Sequence, residues 1–367
     1  MSGFSPASTC LGSISRAALA KRTDRIEPFR VMELVKRAVA LEAQGRSIVH
    51  LSIGEPDFTA PEPVIAALES AARGGITQYT AALGTSRLRE AISTHYAERW
   101  QVNVAPERIV VTAGASAALN LACAALVDPG AEVLMADPTY PCNRNFVAAH
   151  DGIARSIKVG AETRFQLTAD LVDRHWGPET RGVLAATPAN PTGTSMPFAE
   201  LKSMLEVIRA RSGFALIDEI YLGLSYDANP RTVLELGSEM VVANSFSKFF
   251  HMTGWRLGWL VVPPEWVPAF ERLAQNLYIC ASALAQHAAL ACFTPEAMAE
   301  FDRRRDVFRA RRDWLVPALR GLGFDIPVEP DGAFYVWVNC ERFGIDAVTL
   351  ADRLLDEAGV SLVPGTD

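Results

Sequence analysis

Between residues 108 and 262 the chain alternates short apolar runs with stretches of helical period, and this alternation sets the first expectation. The runs Arg108–Thr112, Glu132–Ala136, Ile153–Val159, Gly182–Ala186, Phe214–Ile217, Met240–Asn244 and Leu257–Val262 read as strands. Strands separated by helices predict an α/β fold with a mostly parallel, seven-stranded sheet flanked by helices. Ala117–Val127 is apolar almost throughout and fits a helix buried on most sides.

The flanks carry a different pattern. Arg30 to Gln44 places Val31, Leu34, Val35, Ala38 and Leu41 at helical spacing, and Gly45 follows as a stop. Beyond Pro264 the period is helical through Trp266–Phe293 and again through Pro295–Leu322, with Pro295 suited to a first turn. Gly332–Val338 reads as a strand and Thr349–Ala358 as an amphipathic helix. The expected organisation is an N-terminal extension over 1–24, a large domain over 47–294, and a smaller α/β domain built from 25–46 with 295–367.

Composition narrows the function classes. A chain of 367 residues with 49% hydrophobic content buries a substantial core. The net charge of -7, with both signs interspersed, offers no basic stripe for nucleic acid. Arg303-Arg304-Arg305, Arg309 and Arg311-Arg312 alternate with Asp302, Asp306 and Asp313, the pattern of a solvated helix face. The six cysteines form no C-x-x-C pair and the six histidines no H-E-x-x-H, so no metal is expected and reduced thiols in a cytoplasm fit. The first 23 residues carry Arg16, Lys21 and Arg22 without an acid, but no apolar run there has the length of a signal-peptide core, and a frayed start is expected. No stretch is apolar for long enough to span a membrane.

Polar clusters recur directly after the strand candidates. They are Gly114-Ala115-Ser116, Asp137-Pro138-Thr139-Tyr140, Asn190-Pro191-Thr192-Gly193, Asp218 with Tyr221, and Ser245-Phe246-Ser247-Lys248; Ile153–Val159 alone of the first six lacks one. Open α/β sheets bind ligands beyond the carboxyl ends of their strands, so five clusters at one edge predict one site. Gly114-Ala115-Ser116 opens a helix whose free N–H groups and dipole suit an anion; the plainer reading is a turn with Ser116 as its cap. Ser245 and Ser247 alternate and face one side, and Arg256, eight residues after Lys248, can return a guanidinium fork to the same anion. Asp218 ends an apolar run, where a buried acid calls for a cationic partner, unless it caps the next helix. Tyr221 follows one turn later. Asn190 sits in what, alone, is an ordinary turn, and Tyr140 is placed to stack on a ring or to fill the core. Neither G-x-G-x-x-G nor G-x-x-x-x-G-K-[ST] occurs, which speaks against dinucleotide and nucleoside triphosphate binding.

Taken in order from about Arg25, these motifs resemble the class I aminotransferases of fold type I, the aspartate aminotransferase superfamily, which use pyridoxal 5'-phosphate (PLP). The resemblance implies that Lys248 forms the Schiff base and serves as base for the proton shift, passing through internal and external aldimine, quinonoid and ketimine in a ping-pong cycle between an L-amino acid and a 2-oxo acid. It implies Asp218 at the pyridine nitrogen, Asn190 and Tyr221 at the phenolic oxygen, Tyr140 stacked on the ring, and Gly114, Ala115, Ser116, Ser245, Ser247 and Arg256 around the phosphate. Tyr79 matches a tyrosine that reaches the neighbouring subunit's phosphate, which implies a homodimer, and Gly54 and Asn190 would lie by the substrate carboxylate. Ser116 stands where some dicarboxylate-specific relatives carry lysine, which weighs against aspartate.

The family pattern continues past Val363-Pro364-Gly365 into a strand bearing a carboxylate-binding arginine. No arginine follows Arg353 here, Arg353 falls on a helix, and the expectation is that the sequence belongs to a longer enzyme. Two other readings stay open: a PLP-dependent lyase or synthase of the same fold, and a truncated homologue that binds PLP without efficient turnover. A regulator fused to a helix-turn-helix module is not expected, since the segment ahead of Arg25 is short.

Overall fold

The computed structural model describes residues 19–26, 30–227 and 229–366; residues 1–18 of the expected extension, including Cys10, lie outside the described residues. In chain order the strands are β1 (Val49–His50), β2 (Ile109–Thr112), β3 (Glu132–Asp137), β4 (Ile153–Lys158), β5 (Thr180–Ala186), β6 (Phe214–Asp218), β7 (Val241–Ser245), β8 (Gly258–Val261) and β9 (Val360–Ser361).

Strands β2 to β8 form one seven-stranded sheet in the order β2-β8-β7-β6-β5-β3-β4. All pairings are parallel except those of β8, which runs antiparallel to both β2 and β7. Apart from the edge strand β4, which is mostly exposed or half-buried, their sequences are apolar because the sheet is covered on both faces. Alternate residues enter opposite cores: Ile109, Val111, Val183, Ile217 and Val242 go to one, and Val110, Leu184, Leu216, Val241 and Ala243 to the other. Helix Ala115–Leu126 packs on the second core through Ala118, Leu119, Leu121 and Ala122. Helix Ser86–Trp100 packs on the first through Leu88, Ile92 and Tyr96.

Two of the flanking expectations need correction. Gly332–Val338 does not form a strand. It meets a neighbour at one isolated bridge, Ser225 with Gly332, with a second, Asp325 with Asn339, just past its end, and Ala333 takes a positive φ of 58°, which breaks the extended path. The segment is instead pinned by single hydrogen bonds, including those from the Asp331 and Gly332 N–H groups to the Gly193 carbonyl. The helical stretch Trp266–Phe293 is two α-helices, Val267–Leu277 and Ala283–Ala289. Ile279 at φ 68° interrupts the first, and the Ser282 side chain caps the second by accepting from the Ala285 N–H.

The other helices expected in the flanks form at Arg30–Ala43, Pro295–Gly321 and Ala347–Ala358, and further helices at Glu62–Arg73, Cys142–Ala149, Ala169–His175 and Phe198–Ala210 flank the sheet strands. β1 and β9 pair in parallel, joining residues far apart in sequence. Arg353 is exposed and paired with Glu357 on its own helix. The arginine-rich face of Pro295–Gly321 is not simply solvated. Arg304 and Arg312 are largely covered, and Arg304 and Arg311 reach across to the loop after β1.

Candidate active site

Strand direction brings the five clusters to one edge. Because β8 reverses twice, β2 runs parallel to β7, and the carboxyl ends of β2, β3, β5, β6 and β7 lie together. The reversed β8 starts at that same edge, so Arg256, two residues ahead of it, arrives beside the end of β2. One antiparallel strand thus recruits the guanidinium.

At the end of β2, Gly114 takes φ 86° and caps helix Ala115–Leu126 without any side-chain hydrogen bond. Ser116 is exposed and is not the cap, so the first backbone N–H groups of this helix keep their donor capacity. A Cβ on Gly114 would overlap Nη2 of Arg256, so the guanidinium lies directly against the glycine. Arg256 is held there by Nη1 donating to the Thr253 carbonyl at 2.8 Å. The Ser245 hydroxyl donates to Ser247 Oγ at 3.0 Å and accepts from the Ser247 N–H, and both serines are buried. Helix dipole, guanidinium and hydroxyls make a cradle for a dianion.

Lys248 follows in the turn after β7. Its Nζ donates to the Gly54 carbonyl at 2.5 Å and lies 5.9 Å from the centre of the Tyr221 ring. Burial lowers its pKa to about 8, Arg256 pushing the same way and Glu55 and Asp218 opposing. A large share of the amine is therefore neutral and nucleophilic near pH 8. Asp218, buried at the end of β6, has its pKa raised to about 6, chiefly by burial, while the Ile220 N–H and Lys248 pull it down. Such an acid gains most from a cation placed against it.

Asn190 and Tyr221 converge, though not directly on each other. Both bond to Tyr335, Asn190 Nδ2 donating at 3.2 Å and the two phenols lying 2.5 Å apart. Burial holds the Tyr140 phenol well above its ordinary pKa, with Tyr335 and Asp218 near enough to add to the rise. Gly54 has no room for a side chain, since a Cβ there would overlap the Tyr335 hydroxyl. Tyr79 stands apart and is 80% exposed.

Three features at or beside this edge escaped sequence reasoning. Tyr335 lies in the aromatic run read as a strand, 145 residues beyond Asn190. Glu219, fully buried, accepts from the Val233 N–H at 2.6 Å and the Thr232 hydroxyl at 2.7 Å, and burial raises its pKa to about 7. The signal for it was a second acid beside Asp218. The acids beside Gly54 in the loop after β1 are the third: Glu55 accepts from Thr253, and Asp57 takes a bidentate pair from Arg311 at 2.8 Å for both bonds. This clasp fixes Gly54 against Lys248.

Residues 46–367 match the model of the aminotransferase class I and II family. The chain belongs to that family. It is 40% identical over 344 residues to a valine–pyruvate aminotransferase of Mycobacterium tuberculosis, covering 93% of this chain and 88% of the relative. A crystal structure of an aminotransferase from the same organism superposes with a TM-score of 0.90 at 40% identity, over 94% of this chain and 89% of that one. The aspartate aminotransferase of Thermus thermophilus with maleate also gives a TM-score of 0.90, at 32% identity, over 95% and 91% of the two chains. The protein is an aminotransferase of fold type I. Among the described residues no helix is long and apolar enough to cross a membrane.

Proposed function

We propose that the protein moves an amino group between an L-amino acid and a 2-oxo acid, with PLP as cofactor and Lys248 as the lysine that carries it. The observation that carries this reading is the meeting, at one sheet edge, of a buried amine of lowered pKa, a buried acid of raised pKa and an anion cradle too tight for a Cβ. The three suit an aldehyde, a pyridinium and a phosphate in turn.

When bound, PLP supplies a carbon that accepts amines and a ring that takes up the electron pair released at a substrate α-carbon. The chain does the rest. Lys248 Nζ holds and then moves the α-proton. Asp218 keeps the ring nitrogen protonated, Asn190 and Tyr221 donate to the phenolic oxygen, and Tyr140 stacks on the ring. Gly114, Ala115, Ser116, Ser245, Ser247 and Arg256 hold the phosphate, with Gly54 and Asn190 facing the substrate carboxylate. The exchange runs in two halves, amino acid in and oxo acid out, then the reverse.

We read the enzyme as a homodimer in which Tyr79 serves the partner's site. Its exposure supports this, as do the exposed apolar residues Ile76, Leu277 and Ile279 on segments joined through the Gln286 bond to Thr80. The unbridged thiols of Cys123, Cys142, Cys280, Cys292 and Cys340 support a reducing, cytoplasmic setting. We keep the division into a large domain over 47–294 and a smaller one from 25–46 and 295–367.

The test is a visible absorption spectrum with PLP, followed by a panel of amino acids. A band that each productive amino acid bleaches, with a matching 2-oxo acid released, supports the reading. Ammonia or thiol release in its place would move the assignment to a lyase.

A further inference from the structure

Tyr335 occupies the centre of the site although nothing in the expected constellation names it. Its hydroxyl stands between the Asn190 amide, the Tyr221 phenol and the Cα of Gly54. The ring is held edge-on to Tyr221 at 5.5 Å between centroids and tilted against Phe334 at 5.0 Å. The backbone is fixed too. The neighbouring Asp331 and Gly332 N–H groups donate to the Gly193 carbonyl, and a Cβ on Gly193 would overlap Pro330 and the Tyr335 carbonyl. The turn that carries Asn190 is thus docked onto the segment that carries Tyr335.

The donor inventory gives the network a direction. An amide Nδ2 can only donate, so the Tyr335 oxygen accepts from Asn190. That leaves the Tyr335 proton free to go to the Tyr221 oxygen, and the Tyr221 proton then points away from Tyr335. The second N–H of Asn190 also stays available. A chain of this kind polarises each member and strengthens the terminal donor.

We propose that Tyr335 is a positioning residue of the transamination site, relaying a hydrogen bond from Asn190 to Tyr221 so that the Tyr221 hydroxyl is oriented and strengthened as a donor to the cofactor's phenolic oxygen. The inference rests on the PLP reading above. It adds a member contributed by the C-terminal part of the chain to a donor pair contributed by the sheet.

The test is a double-mutant cycle with Tyr335→Phe and Tyr221→Phe, which keeps both rings and their packing. Two quantities are read: the dissociation constant for PLP, and the pH at which the visible band of the loaded protein changes. Donors at the phenolic oxygen drain its negative charge and ease deprotonation at the neighbouring nitrogen, so losing one raises that pH. Tyr335→Phe is expected to weaken PLP binding about fivefold, the size of one neutral hydrogen bond, and to raise the transition by about half a unit. In the Tyr221→Phe background the second substitution should add almost nothing. Unchanged pH and affinity in Tyr335→Phe would overturn the proposal, and so would equal effects in both backgrounds, which would mean that Tyr335 acts independently of Tyr221. A wild-type protein that forms no band at all would remove the PLP reading itself, and the relay with it. Circular dichroism of each variant separates these outcomes from misfolding, and a Tyr335→Phe protein that failed to fold would overturn the relay in favour of a core role.

Discussion

The ammonium of Lys248 donates to the backbone carbonyl of Gly54, across 194 residues of sequence. This bond couples the amine proposed to carry the cofactor to a loop that is itself clasped by Arg311 on Asp57. Replacing Lys248 by Ala should abolish the visible band with PLP and reduce turnover by several orders of magnitude, since the amine proposed to carry the cofactor is lost. Spectral titration and steady-state kinetics check this, and normal turnover would remove the central assignment.

The pH dependence of cofactor capture follows from the lowered pKa of Lys248. Only the neutral amine attacks, and its pKa is about 8. The rate of band formation should rise about tenfold per unit below pH 8 and level off above it. Stopped-flow absorbance across pH 6 to 10 gives the profile; a rise that continues past pH 10 would show that Lys248 titrates as an ordinary lysine. The same shift makes the buried ammonium a cost to folding below about pH 8, relieved as pH rises past that point.

The role proposed for Asp218 comes at a cost to stability. Its pKa is raised to about 6 by burial, so the buried carboxylate destabilises the cofactor-free chain above that pH and the penalty fades as pH falls toward the ordinary carboxylate value. Asp218→Asn should therefore stabilise the cofactor-free protein by roughly 1–3 kcal/mol at pH 8 and by less at pH 5, while transamination falls sharply. Thermal melts at the two pH values test the sign. Equal gains at both would sink the electrostatic explanation.

Gly114 is the point where backbone and guanidinium meet. Gly114→Ala adds a methyl group where Arg256 Nη2 lies, on a residue at φ 86°, so both sterics and backbone conformation oppose it. PLP affinity should drop by at least tenfold with little change in the sheet. Equilibrium titration with PLP, with circular dichroism alongside, distinguishes a lost cradle from a lost fold.

The clasp on the Gly54 loop gives a milder expectation. Asp57 and Arg311 are each about half exposed, so Arg311→Ala should cost no more than about 1 kcal/mol of stability. It should nonetheless lower kcat more than that figure conveys, because Gly54 loses its support beside Lys248. A variant with unchanged kcat would assign the pair to the surface alone.

Much of this arrangement was legible in the sequence. Six of the seven strand runs were visible because a sheet buried on both faces needs continuous apolar residues, the edge strand β4 being the more exposed exception, and the polar clusters were visible because ligand sites sit beyond strand ends. Lys248, Asp218, Asn190 and Arg256 each follow or precede a strand closely, so local order alone carried them to the edge. Tyr335 was not legible. Its run of aromatic and β-branched residues has strand composition, and only the positive φ of Ala333 and the docking of Gly193 turn it into the site. The arginines of helix Pro295–Gly321 were read as solvated because a helix face shows its period but not its neighbour; Phe58 and Asp57 are that neighbour.

The sequence by itself determined most of the local elements, the strand-end placement of the candidate residues and the kind of chemistry their side chains can carry. These depend on periodicity and side-chain type, which are properties of short segments. Tertiary structure alone decided the reversal of β8 that lays Arg256 on Gly114, the burial that moves Lys248 and Asp218 toward each other's range, and the entry of Tyr335 between Asn190 and Tyr221. Those are contacts across a hundred residues or more, or shifts set by how much water is excluded, and neither quantity exists until the chain has closed on itself.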